Sequence, residues 1–171
     1  MREQPTHVKA VASQNPALVL TAIVLTVALT AALILALTYQ KPYQPPPFEP
    51  EAVMGAPNPP ESFDYGEIDA AGKFAFGIAG TLYRQEDGSL RIYFSNPETN
   101  EAYLMCEVAD SGGKALYKSG LLRPGEHVVS LYPITKMKNV AVNIEVRVYA
   151  LDPEHYYSMG TVTLDNILQP Y

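Results

Sequence analysis

The sequence predicts an all-β domain carried behind one membrane-spanning helix, and three observations predict it. The run from Ala17 to Thr38 contains no charge, proline or glycine. Eight of the fifteen prolines fall between Pro42 and Pro60. Beyond Gly66, apolar side chains recur at every second position, the period of a strand with one buried face.

Residues 1–15 are polar and slightly basic and read as a short cytoplasmic tail, too small to fold alone. Asn15 and Pro16 fit a helix N-cap and a first-turn proline, so a transmembrane helix is expected over 16–38. At about 1.5 Å per residue its apolar run covers roughly 33 Å, enough for the hydrocarbon core of a bilayer. Arg2 and Lys9 precede the helix, which favours a cytoplasmic N-terminus and an extracytoplasmic C-terminal domain, although Lys41 follows closely. A cleaved secretory signal is the competing reading. The run exceeds the apolar region of about 7–15 residues that a signal peptide carries, and Ala36-Leu37-Thr38 is a poor small-x-small site, so a retained signal-anchor is expected. Ala22, Thr26 and Thr30, and likewise Ala28, Ala32 and Ala36, recur every fourth residue, so the helix could self-associate through a small-residue ridge. Contact with lipid alone is the plainer reading.

Residues 39–65 are read as a proline-rich stalk. Proline fixes φ and removes an amide donor, so the segment is expected to join neither helix nor sheet. As a polyproline-like spacer it would reach up to about 60 Å. Tyr39 and Tyr43 suit the headgroup layer.

Residues 66–171 are read as strands and turns. Phe74, Phe76, Ile78, Gly80 and Leu82 alternate with Ala75, Gly77, Ala79, Thr81 and Tyr83 in a first strand, closed by the turn pair Asp87-Gly88. Leu90, Ile92 and Phe94 mark a second strand; Ala102, Leu104, Cys106 and Val108 mark a third. Ser111-Gly112-Gly113 leads into a short strand over 115–119, and Pro124-Gly125 into another over 127–131. The clearest alternation sets Val140, Val142, Ile144, Val146 and Val148 against Ala141, Asn143, Glu145, Arg147 and Tyr149. A last strand over 160–166 turns Val162 and Leu164 inward. About seven short strands without a convincing helix point to an antiparallel immunoglobulin/fibronectin-like β-sandwich. The single cysteine excludes an internal disulfide, so packing must hold the domain.

The segment Asn96-Pro97, Asn100-Glu101, Tyr103, followed by Leu116-Tyr117-Lys118-Ser119-Gly120 and Pro124-Gly125-Glu126, resembles small membrane-anchored or secreted Ig-like β-sandwich proteins of Gram-positive bacteria. In that group an Asn-Pro-x-x-Asn strand entry leads to a Leu-Tyr-x-Ser-Gly hairpin. The resemblance implies fold and an envelope setting rather than activity. Lys138-Asn139-Val140 departs from it, since a Gly-Tyr often precedes the long strand there.

Chemistry is sparse. Ser130, His127 and Asp110 could be assembled on paper as a triad, but no G-x-S-x-G elbow accompanies them. Cys106 alternates with apolar residues and reads as a small buried hydrophobe rather than a nucleophile for His127 or His155. The loop Asp152-Pro153-Glu154-His155 carries carboxylates that could take Ca²⁺, yet lacks the spacing of a calcium loop and reads as a polar turn. No catalytic, cofactor-binding or metal-ligating residue is therefore assigned, and an enzyme is not expected. The formal net charge is −6, and residues 41–171 hold ten Lys/Arg against seventeen Asp/Glu, which argues against nucleic acid.

Tyrosine is the one enriched residue, twelve in all with no tryptophan. Tyr83, Tyr93, Tyr103 and Tyr149 fall at the polar positions of their strands and form the candidate partner-binding face, because an outward ring offers area while its hydroxyl stays wet. Cross-strand packing explains outward tyrosines equally well. The resulting expectation is a non-catalytic, single-pass envelope protein that presents a β-sandwich to one or more envelope proteins, as a subunit of a surface or secretion assembly. The alternative is a carbohydrate or cell-wall binding module.

Overall fold

The computed structural model describes residues 15–38 and 43–171, so the tail expected over 1–15 and the start of the stalk lie almost wholly outside the described residues. The chain divides into two compact units, Met1–Gln44 and Pro45–Tyr171.

In the first unit, α1 spans Pro16–Thr38. Asn15 caps it as its sequence position suggests, with the side-chain oxygen accepting the Ala17 amide at 3.2 Å. Residues 15–37 are exposed throughout. The hydroxyls of Thr21, Thr26 and Thr30 each donate to the carbonyl four residues earlier, at 2.8 Å. Three polar side chains are thereby satisfied within the helix.

The second unit is built of strands. In chain order these are β1 (Val53–Met54), β2 (Tyr65–Asp69), β3 (Ala75–Ala79), β4 (Leu82–Arg84), β5 (Leu90–Ser95), β6 (Tyr103–Asp110), β7 (Ala115–Lys118), β8 (Glu126–Leu131), β9 (Val142–Leu151) and β10 (Ser158–Gln169). They form one curled, mixed sheet with the path β1-β8-β5-β4-β10-β9-β6-β7, while β3 pairs with β5 and β2 with β3. The antiparallel seven-stranded expectation is therefore met only in part. The predicted first strand breaks at Gly80-Thr81, whose amides turn aside to the carbonyls of Asp64 and Phe63. The released piece, β4, pairs with β5 and also runs parallel to the end of β10, which makes the sheet mixed and continuous.

Alternation places the core correctly on most strands. Val146, Val148 and Ala150 of β9 are buried and paired with Val108, Cys106 and Leu104 of β6, and Ile144, Phe76, Leu82, Leu90, Ile92 and Phe94 join them in one core. Val140 lies before β9 and is exposed, and Val162 and Leu164 are only half-buried against the core. Asn96 is fully buried and donates to the carbonyls of Ala102 and Leu122, while Asn100 bridges Asn96 to Ala75. The Asn-Pro-x-x-Asn motif thus ties three chain segments together through one buried and one half-buried amide.

The proline-rich segment departs most from expectation. Pro47 carbonyl accepts the Leu121 amide and the Glu49 amide donates to Leu121, both at 2.9 Å. Phe48 forms a parallel bridge to Leu121, and β1 pairs with Glu126 and His127 of β8. Residues 47–55 are therefore part of the sheet unit and are not available as a spacer.

Candidate functional site

The segment that crosses Leu121 seats the most concentrated aromatic feature of the second unit. Gly120 leaves room for it: a Cβ there would meet the Glu49 amide nitrogen at 2.5 Å. The Glu49 carboxylate accepts the Gly120 amide at 2.7 Å, fixing the register of Phe48. The Phe48 ring then stands edge-on to Tyr103, with centroids 5.2 Å apart, under the Arg123 guanidinium at 3.7 Å. Arg123 is held in turn by Glu126 at 3.1 Å. Tyr103 also faces Tyr156 at 6.2 Å, and the strand register sets Met105 against Tyr149 and Tyr103 against Leu151. Buried Met105, Leu121 and Leu151 form the floor, with Phe48, Tyr103, Tyr149 and Tyr156 half-buried around them. Next along β9, Arg147 bonds Glu145 at 2.6 Å and Glu107 at 3.5 Å, which gives the patch a charged border.

The four tyrosines expected on one face separate into two places. Tyr103 and Tyr149 share the patch just described. Tyr83 and Tyr93 instead flank Phe63, at 5.4 and 4.9 Å. Tyr93 is only 7% exposed and belongs to the main core, so its outward assignment is corrected. The cause is a bulge in β5: Arg91 pairs with Ser130 but Phe94 with Val128, and Tyr93 takes up the extra residue in the left-handed region at φ 48°. Sequence reasoning missed Phe48, a phenylalanine set between Pro47 and Pro50, which was the available signal.

The residues weighed for chemistry have structural partners. His127 Nδ1 donates to the Gly55 carbonyl at 2.7 Å, and Asp110 accepts the amides of Gly112 and Lys114 in a turn. Cys106 is fully buried, and desolvation pushes its thiol up to about 12. Asp152 accepts the amides of His155 and Glu154, bonds that hold its carboxyl below the usual range, the His155 bond foremost. Among the described residues no group of three or more His, Cys, Asp or Glu is placed to hold a metal ion. No protein-family model, curated protein or solved structure matches this chain.

Proposed function

We propose that this chain is a single-pass protein of a bacterial cell envelope, anchored by α1, whose β unit lies outside the cytoplasm and docks, without catalysis of its own, onto a protein partner within a surface or secretion assembly. The observation that carries the reading is α1 itself. It is uncharged, exposed along residues 15–37, and bonds three of its threonine hydroxyls to its own backbone, so lipid can meet it on every side. The docking part rests on the Tyr103–Tyr149 patch, where half-buried rings with a charged border have the makeup of a protein interface. The envelope setting rests on the resemblance of residues 96–126.

An immunoglobulin/fibronectin-like arrangement belongs to the same proposal. It is supported by strand neighbours: β3-β5-β8 follow the order A-B-E, and β10-β9-β6-β7 the order G-F-C-C′.

Orientation and retention are tested together. Protease added to intact cells or spheroplasts is expected to degrade a C-terminal tag and spare an N-terminal one, with the full-length chain in the membrane fraction. The reverse cleavage pattern would overturn the orientation, and a mature chain beginning near Tyr39 would make α1 a signal peptide and the protein secreted.

A further inference from the structure

Arg84 ends β4 at an inward position, 4% exposed, where strand alternation normally places an apolar residue. One terminal nitrogen, Nη1, donates to the Lys138 carbonyl. Nε and Nη2 are buried without a hydrogen bond of good geometry, and the Tyr117 hydroxyl, which donates to the Gly88 carbonyl, lies beside the guanidinium as a polar neighbour there. Among the described residues no carboxylate lies within ion-pair distance of the guanidinium. A buried cation without a counter-charge is costly, and the two unmatched nitrogens are the pair that forms one edge of the guanidinium fork. That edge presents two parallel N–H groups, the geometry that grips a carboxylate or phosphate through two oxygens.

The surroundings suit such a ligand. Arg84 lines a cavity of about 440 Å³ with Gly88, Tyr117, Thr135, Lys136 and Met137 among its walls. Its roof is the β8–β9 loop, pinned at one end where the Ile134 amide donates to Leu116 and Tyr117 bridges Pro133. Lys136 and Lys138 lie exposed on this loop and add positive charge to an otherwise acidic unit. The nearby Asp87 carboxylate is occupied by the Ser89 amide at 2.8 Å.

We propose that this cavity is an oxyanion site, in which the 132–138 loop lifts to open the buried Nε and Nη2 edge of Arg84 to the cavity and that edge pairs with a small carboxylate- or phosphate-bearing ligand, with Lys136 at the rim. The site is independent of the aromatic patch.

The full-length chain in detergent micelles provides the test, with thermal unfolding followed in phosphate, acetate or chloride at one ionic strength. Phosphate or acetate at ten times its dissociation constant is expected to raise the midpoint by about 4 °C over chloride, through preferential binding to the folded chain. Whichever of the two has the lower dissociation constant, taken from the dependence of the midpoint on its concentration, identifies the class of oxyanion. Arg84→Met, which removes the buried charge, is expected to unfold cooperatively in chloride and to lose the response. Lys136→Gln, on the exposed loop, is expected to keep the chloride midpoint and weaken binding several-fold. Identical midpoints in all three salts would overturn the proposal, as would an Arg84→Met chain that still responds. Should Arg84→Met not fold, Lys136→Gln decides: unchanged affinity for the anion would equally overturn it.

Discussion

Ile144→Asp is expected to unfold the β unit of the full-length chain. Ile144 is 2% exposed at the centre of the sheet, paired with Asp110 of β6 on one side and Asn166 of β10 on the other. The substitution forfeits about 2–3 kcal/mol of apolar burial and adds the larger cost of a carboxylate without a partner. Together these approach the whole stability of about 5–15 kcal/mol typical of a domain. Asn143→Asp, one residue away on the exposed side of β9, is expected to cost about 0.5 kcal/mol or less. Circular dichroism of both variants in micelles gives the comparison. Equal losses would mean that the buried and exposed sides of β9 are wrongly assigned.

Gly120→Ala is expected to be strongly destabilising as well, short of unfolding, although it adds one methyl group. The new Cβ would meet Glu49 nitrogen at 2.5 Å, Glu49 Cα at 2.6 Å and the Phe48 carbonyl carbon at 2.7 Å. All three are backbone atoms, so no rotamer relieves the contact, and the segment 47–49 must lift from Leu121. Lifting breaks the two backbone bonds to Leu121 and the Glu49 carboxylate bond, and it unseats Phe48 from Tyr103. The expected loss is about 3 kcal/mol, a fall of about 10 °C in the unfolding midpoint, with new protease cleavage around residues 47–52. Gly66→Ala on β2, where a Cβ meets nothing within 4 Å, serves as the neutral control. Similar midpoints for the two variants would show that the segment is not held against the sheet.

Both expectations bear on what the sequence makes legible. The alternation over 142–150 is legible because β9 is paired on both sides and buried on one, so each side-chain position has one environment. The same period fails at Tyr93, which takes up the extra residue of a bulge and is buried between Ile92 and Phe94, and period-two counting has no way to sense it. Proline counting fails between 47 and 55 for a different reason. Pro47 contributes a carbonyl rather than its missing amide, and β1 fits between Pro50 and Pro57, so the prolines forbid fewer bonds than their number suggests. The candidate patch was half legible. Tyr103 and Tyr149 stood in the strand pattern, whereas Phe48 reaches them only through a contact some fifty residues distant in the chain, fixed by Gly120. Arg84 was visible in principle, because a charged residue fell in step with Leu82 at an inward position.

The central claim, that the Tyr103–Tyr149 patch docks onto a protein partner, is tested most directly by site-specific photo-crosslinking of the full-length chain in living cells. A crosslinker at Thr161, exposed and in register with Tyr149, reports on the patch, and one at exposed Lys73 serves as the control. The account predicts one or a few defined envelope proteins attached at Thr161 and none at Lys73. Tyr149→Ser should weaken that product while changing the unfolding midpoint little, because truncating an interface ring commonly costs binding more than folding. Products shared by both positions, or unchanged by Tyr149→Ser, would contradict the claim; a purified chain that in addition retained one defined glycan would establish the carbohydrate-binding alternative in its place.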